Sequence, residues 1–311
     1  MATTDSRAVP TRLGPFARRF FRVLAIVAAV LGLVFGLQNA AHHAATDPFV
    51  DLHTYYDAGT RLNAGEPLYN PNATESKGLY LYPPFLAIMF RPLALLPFDT
   101  VAALWLAASI VAIVLTIRRA GIREPVVIAL GVLALPILWS LSIGQVEPFI
   151  TLLMAFGSPV GIGIATSIKL VPVLVAVYWV LRRDWRALGR LAATLAVLGV
   201  FQLVLEPEAT RTWLELGWMR PAFFVNTISP YGVSPILWVA FVLALWLLVW
   251  RLRRSRHAWA AAVALAVLVH PRLLAYQLMS LLAGFAGPGT DDEAAQPANQ
   301  PEADVAPASA S

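Results

Sequence analysis

Apolar residues in this chain come in long continuous runs, not in the alternating or striped patterns of soluble strands and helices. Five runs, 20–41, 101–117, 125–143, 188–205 and 233–250, approach the about 20 residues that a helix needs to cross a hydrocarbon core about 30 Å thick. Two shorter runs, 259–271 and 273–286, follow. The stretch 147–181 is also apolar, but Gly157, Ser158 and Pro159 interrupt it, as do Lys169 and Pro172. It is too long for one helix and too short for three full spans. Helices broken at membrane depth persist only where they are buried in protein or line a cavity. The segment 82–97 is apolar and bounded by prolines, which predicts an element that lies at the interface or dips in. The pattern predicts an all-α polytopic membrane protein, a multi-span helical bundle.

Composition agrees. The chain is 59% hydrophobic and 13% charged, against about 45–50% and about 25% for soluble domains. With no cysteine, disulfides and thiolate metal sites are excluded. The first twenty residues are rich in arginine, but the apolar run after them exceeds the roughly 7–15 residues of a signal peptide core, so it is read as a retained span. The net charge of +5 does not indicate a nucleic-acid partner, because the basic residues cluster at the ends of apolar runs. Arginines 7–22, 118–123, 182–190 and 251–256 supply sixteen of the 23 basic residues. Placing these clusters in the cytoplasm satisfies the positive-inside rule and puts 42–100, 144–147, 206–232 and His270 outside. The expected organisation is a basic cytoplasmic N-terminus (1–19), a membrane domain (20–286) with a large outward loop (42–100), and a cytoplasmic tail (287–311). That tail, rich in Pro, Ala, Gln and acidic residues, is expected to be disordered.

The outward loop carries the candidate chemistry. Asp47, Asp51 and Asp57 lie there with His53 and several tyrosines, just beyond the first span. A carboxylate at this boundary can act as a general base toward a sugar hydroxyl; it can equally cap a helix or sit solvated in a loop. Asp47 precedes a proline and suits a turn, whereas Asp57 falls on another side of a helix from Asp51. Lys169 stands in an apolar stretch where an ammonium is costly, which suits a wet cavity or an anionic partner such as a lipid phosphate. Snorkelling to the interface is the competing explanation. Glu147, His270 and Arg272 also fall at outward span ends. Asn72-Ala73-Thr74 fits a glycosylation sequon. No Walker loop, H-E-x-x-H or G-x-S-x-G occurs, so ATPase, zincin and serine-hydrolase readings have no support.

In order, Asp51 to Tyr56, Gly65 to Tyr69, Tyr82-Pro83-Pro84, Pro92 to Pro97, Gly144-Gln145, Lys169 to Pro172 and Pro271 to Tyr276 resemble the blocks of glycosyltransferase family 87. These are the polyprenyl-phosphate-mannose-dependent mannosyltransferases of bacterial envelopes. The resemblance covers roughly residues 47–280. It implies a C-type glycosyltransferase bundle whose catalytic carboxylate lies in the first outward loop, at Asp51. It further implies a lipid-linked sugar donor, hence no nucleotide-binding domain, cofactor or metal, and a single inverting displacement onto an envelope glycolipid or glycan. Lys169, Arg272, His53, Tyr55, Gln145, Tyr82 and His270 are the matching substrate-binding candidates. Gln277 departs from the family, where many relatives carry aspartate. The expected location is a bacterial plasma membrane with the site on the outer face. Two other readings compete. One is a transporter or flippase of a lipid-linked substrate, suited by the broken helix near Lys169. The other is a shortened inactive relative that serves as a scaffold.

Overall fold

A computed structural model describes residues 15–69, 79–215 and 227–288. The sequon at Asn72 and the expected disordered tail beyond residue 288 lie outside the described residues. Helices make up the described chain, and no strand occurs among the described residues. In order they are α1 (Pro15–Thr46), α2 (Val50–Ala64), α3 (Pro84–Phe90), α4 (Phe98–Arg119), α5 (Pro125–Val132), α6 (Leu135–Ser142) and α7 (Glu147–Ala155). Then come α8 (Pro159–Ile168), α9 (Val177–Arg182), α10 (Trp185–Leu205), α11 (Pro207–Glu215), α12 (Pro235–Leu252) and α13 (Ala258–Leu268). Tighter 3₁₀ turns occupy Leu93–Leu95, Val171–Ala176, Pro230–Gly232 and Ala275–Phe285.

Residues 26–46 of α1, together with α4, α10 and α12, form four helices long and apolar enough to cross a membrane. The protein is an all-α polytopic membrane protein. Helices α5 and α6 together have the length of a fifth span but bend by 50° at Leu133 and Ala134. The uninterrupted run 125–143 hides this break. Pro136 explains it: in a continuous helix it could offer no N–H to the Val132 carbonyl and its ring would clash with that carbonyl, so the chain breaks at Ala134, which is extended with ψ 153°. The broken stretch after Glu147 divides as its glycine, serine and prolines require. Ser158 caps α8 by accepting the Gly161 N–H through its hydroxyl at 3.0 Å, with Pro159 in the first helical turn.

Lipid-type surfaces and core separate cleanly. The outward sides of α1, α4, α10 and α12 expose Val30, Val34, Leu104, Val111, Val197, Val204, Leu243 and Leu247. The main core gathers instead around the short elements: α2, α3, α7, α8, α13 and the 3₁₀ segment Ala275–Phe285. Helix α2 is amphipathic, with Leu52, Tyr55, Ala58 and Leu62 buried at helical spacing and His53, Asp57 and Thr60 exposed. Basic residues and candidate chemistry lie at opposite ends of α7. Arg119 Nε donates to Ala155 O at 3.2 Å at one end, and Glu147 opens the other.

The start of α2 is fixed by the end of α6. Phe49 N–H donates to Ser142 O at 3.0 Å, and Asp51 and Leu52 N–H both donate to Ile143 O, at 2.9 and 3.2 Å. These bonds satisfy donors that a helix start leaves open. Immediately afterwards Gly144 turns the chain with φ 70°, and a Cβ there would sit 2.6 Å from Leu52 Cβ. Alanine at 144 therefore meets both left-handed strain and a clash. The expected outcome for Gly144→Ala is a loss of about 1–2 kcal/mol from backbone strain alone, plus the contact term. Gly65→Ala is the control, since Gly65 also has a positive φ (71°) but open space around it. Thermal melts in detergent should place Gly144→Ala clearly below Gly65→Ala. Equal melting would show that the α6–α2 junction has room to spare.

Candidate active site

Three carboxylates compete in the segment after α1, and their surroundings separate them. Asp47 is held by the end of α1: its Oδ1 lies 2.6 Å from His43 Nδ1 and accepts from Thr46 Oγ1 at 2.9 Å. Asp57 is exposed on the outer side of α2. Asp51, in the first turn of α2, is half-buried and accepts from Gln145 Nε2 at 2.6 Å through Oδ2. Burial pushes the Asp51 carboxyl up to about 6, against the opposing pull of the Gln145 hydrogen bond and of Lys169, Arg272 and His43. A carboxylate of that strength is ionised at neutral pH yet is a better proton acceptor than a solvated one.

Gln145 is the centre of a polar cluster. It is 2% exposed. Its Oε1 accepts from Tyr55 Oη at 3.0 Å and from Val146 N–H at 3.0 Å, and its Nε2 also lies 3.2 Å from Tyr82 Oη. The Tyr55 and Tyr82 hydroxyls stand 3.1 Å apart, with the rings edge to face at 5.3 Å. Tyr55 is fully buried. Its hydroxyl thus serves Gln145 and Tyr82 and presents no surface to a ligand. Tyr82 is half-buried at the start of the rigid Pro83-Pro84 bend.

A second cluster surrounds Lys169. The lysine ends α8 and donates to Glu147 Oε2 at 3.0 Å; side-chain exposures are 16% for the lysine and 5% for the glutamate. Glu147 Oε1 accepts from Ser280 Oγ at 2.7 Å, and Ser280 Oγ lies 2.8 Å from Thr151 Oγ1. Each charge sits where a helix dipole favours it, Glu147 at the N-terminus of α7 and Lys169 at the C-terminus of α8. The Lys169 ammonium also lies 5.5 Å from the Tyr276 ring centre. A small cleft of about 20 Å³ runs past this pair, lined also by His270, Gln277, Met154 and Pro172. His270 Nδ1 accepts from Arg272 N–H at 3.0 Å, so the turn 270–272 brings both side chains to the same end.

The structure therefore gathers Asp51, Gln145, Tyr55, Tyr82, Lys169, His270 and Arg272 at one end of the bundle. His53 stands apart from this cluster. Two residues along a helix from Asp51, it points away, is exposed, and stacks on Phe98 at 3.6 Å. Tyr55, also expected to touch substrate, is buried with its hydroxyl on Gln145 and Tyr82. Sequence reasoning missed that Lys169 is ion-paired, although Glu147 opening an apolar helix was the available signal. Ser280, Thr151 and the Tyr276 ring gave none. Gln277, the departure from the family pattern, accepts the Leu274 N–H at 2.8 Å and so starts the Ala275–Phe285 segment.

Comparison with known proteins follows this geometry. The sequence model of glycosyltransferase family 87 matches residues 80–276. A polyprenol-phosphate-mannose-dependent alpha-(1-2)-phosphatidylinositol pentamannoside mannosyltransferase of Mycolicibacterium smegmatis is 32% identical over 208 residues, 60% of this chain and 50% of that protein. A protein of the same description from Mycobacterium tuberculosis is 30% identical over 192 residues, 54% of this chain and 44% of its own length. The chain spans about half the length of the curated relatives it matches. No solved structure matches. With the family match covering more than half of its residues, the chain belongs to glycosyltransferase family 87.

Proposed function

We propose that this protein is a membrane mannosyltransferase that moves mannose from a polyprenyl-phosphate donor to a mannosylated glycolipid or envelope glycan on the outer face of a bacterial plasma membrane. The observation that carries the reading is a carboxylate and a cation, Asp51 and Lys169, each held by a residue of the same short turn within a family 87 chain. Gln145 fixes Asp51, and two residues later Glu147 fixes Lys169. The mycobacterial relatives, as polyprenol-phosphate-mannose-dependent phosphatidylinositol pentamannoside mannosyltransferases, suggest the donor and the mannosylated phosphatidylinositol class of acceptor. Asp51 takes the proton of the acceptor hydroxyl as its oxygen bonds to the sugar's anomeric carbon. The bond from that carbon to the phosphate oxygen breaks, and the phosphate leaves with the electron pair. Lys169, with Arg272 and His270 at the same end, faces the charge that grows there. Such preorganised charge is worth more in a water-poor site than in solution.

Three measurements test this. Asp51→Asn should lower transfer by on the order of 10²–10⁴ while leaving the protein folded. Asp47→Asn and Asp57→Asn should retain turnover, and an active Asp51→Asn protein would reject the base. For the native protein, kcat/KM should fall as pH drops through about 6, the value to which burial raises Asp51, because protonation removes the base. A profile flat down to pH 5 would contradict that assignment.

Lys169→Gln should cost about 2–4 kcal/mol of transition-state stabilisation, and Lys169→Arg should retain part of it because the charge survives in a different geometry. Turnover against donor concentration separates the two. Unimpaired kinetics for both would reduce Lys169 to an anchor.

Orientation has its own test. In this cysteine-free chain, Ala64→Cys at the exposed end of α2 should react with an impermeant thiol reagent on intact cells. Labelling only after lysis would place the site on the cytoplasmic side.

A further inference from the structure

We infer that Gln145 is the positioning residue of the base: its side-chain amide is locked in one orientation and fixes which oxygen of Asp51 receives the acceptor's proton. The inference rests on Asp51 being the base and goes beyond it. The orientation follows from donor and acceptor chemistry. Val146 N–H can only donate, and it lies 3.0 Å from Oε1, so that end of the amide is the oxygen. An ionised Asp51 can only accept, and it lies 2.6 Å from the other end, so that end is the nitrogen. The Tyr55 hydroxyl, 3.0 Å from Oε1, adds a second donor on the oxygen side. Turning the amide over would set oxygen against carboxylate and N–H against N–H.

The consequences for Asp51 are geometric. Oδ2 is occupied by the amide, while Oδ1 has no hydrogen-bond partner among the described residues. One oxygen is anchored and the other is left for the acceptor hydroxyl. The backbone reinforces the anchor. Asp51 N–H is bound to Ile143 O at 2.9 Å, and Gln145 N–H to Ser140 O at 2.8 Å. The carboxylate and the amide thus share one rigid junction, closed by the Trp105 Nε1–H bond to Gly144 O at 2.9 Å. Groups that act electrostatically on Asp51 come from every neighbouring element: His43 from α1, Lys169 from the end of α8, Arg272 from the turn after α13, and the Tyr55, Tyr82 and Tyr276 hydroxyls. Among the described residues it is Gln145, and none of these groups, whose side chain hydrogen-bonds the carboxylate.

The experiment uses the 311-residue chain in detergent, with radiolabelled polyprenyl-phosphate mannose as donor and phosphatidylinositol pentamannoside as acceptor. Gln145→Glu keeps the shape and places a second carboxyl group at hydrogen-bond distance from Asp51. The two cannot both ionise freely, so they share a proton. The acid limb of the kcat/KM profile should move up by at least about one pH unit. Tyr55→Phe keeps the packing but removes a donor from the amide oxygen. It should lower kcat roughly tenfold through misplacement of the base with donor KM unchanged, and it gives the answer should Gln145→Glu not fold. A role in packing alone would lower the yield of folded protein and leave the acid limb and the ratio of kcat to KM where they were. That result in a folded variant overturns the inference. If Asp51→Asn is inactive and the Gln145→Glu limb is unmoved, only the positioning role falls. An active Asp51→Asn protein, or no transfer by the native chain, removes the underlying reading and this one with it.

Discussion

Everything at the polar end of this bundle depends on one junction, where the carbonyl end of α6 docks on the amide end of α2. Three backbone N–H groups at or just before the start of α2 find their acceptors at Ser142 and Ile143. The geometry demands an unusual entry, and Phe49 adopts a left-handed conformation with φ 54° to make it. Asp51 is placed by those bonds before its side chain makes any contact. The chain then reverses at Gly144 and presents Gln145 to Asp51 and Glu147 to Lys169. A four-residue turn thereby sets the position of a carboxylate and a cation that are more than a hundred residues apart in sequence.

The Glu147–Lys169 pair is better understood as a positioning device than as a source of stability. Burying two ions costs several kcal/mol each, and their attraction repays this only when remaining hydrogen-bonding capacity is also met. Here the surrounding groups meet part of it. Glu147 has Ser280 on its second oxygen, Ser280 is backed by Thr151, and both ions sit at favourable helix ends. The pair joins α7 to α8 and, through Ser280, to the Ala275–Phe285 segment. Three broken elements that could slide in lipid are pinned at one point. A lysine so held has little freedom to snorkel, which makes its charge available at a fixed place along the cleft.

Much of this was legible in the sequence because lipid is an unforgiving solvent. Runs of about 20 apolar residues can do little but cross it, and α1, α4, α10 and α12 lie where the runs are. The breaks at Gly157 to Pro159 and at Lys169 to Pro172 announced themselves through residues that do not continue helices. Hydropathy along 125–143 does not dip, and the α5–α6 bend at Ala134 escaped a reading by apolar runs although Pro136 was its signal. The site divides in the same way. Asp51 stood out as a carboxylate beside a span, but the partner of Lys169 is 22 residues away and is set by how α7 and α8 pack. His53 shared the motif with Asp51, yet helical periodicity turns residues two apart to different sides. Tyr55 shared the correct face and went too deep to touch a ligand.

The formal charges at the site bear on how the proposed reaction would be driven. Asp51 and Glu147 carry two negative charges, Lys169 and Arg272 two positive ones, so these four groups balance before the donor arrives. A donor phosphodiester adds one negative charge next to a carboxylate whose proton affinity burial has already raised. On the proposed reading its arrival would disfavour the charged form of Asp51 further, making Asp51 a stronger proton acceptor once the donor is seated. The same added charge would draw on Lys169, which until then donates its hydrogen bond to Glu147. Proton removal from the acceptor and charge build-up on the leaving phosphate then work in one direction. Negative charge passes from the carboxylate, where it is neutralised by the acceptor's proton, to the phosphate, which faces the cations. A site balanced in this way favours the arrangement of charge that exists after transfer, and it does so with groups that Gly144, Gln145 and Glu147 hold in place.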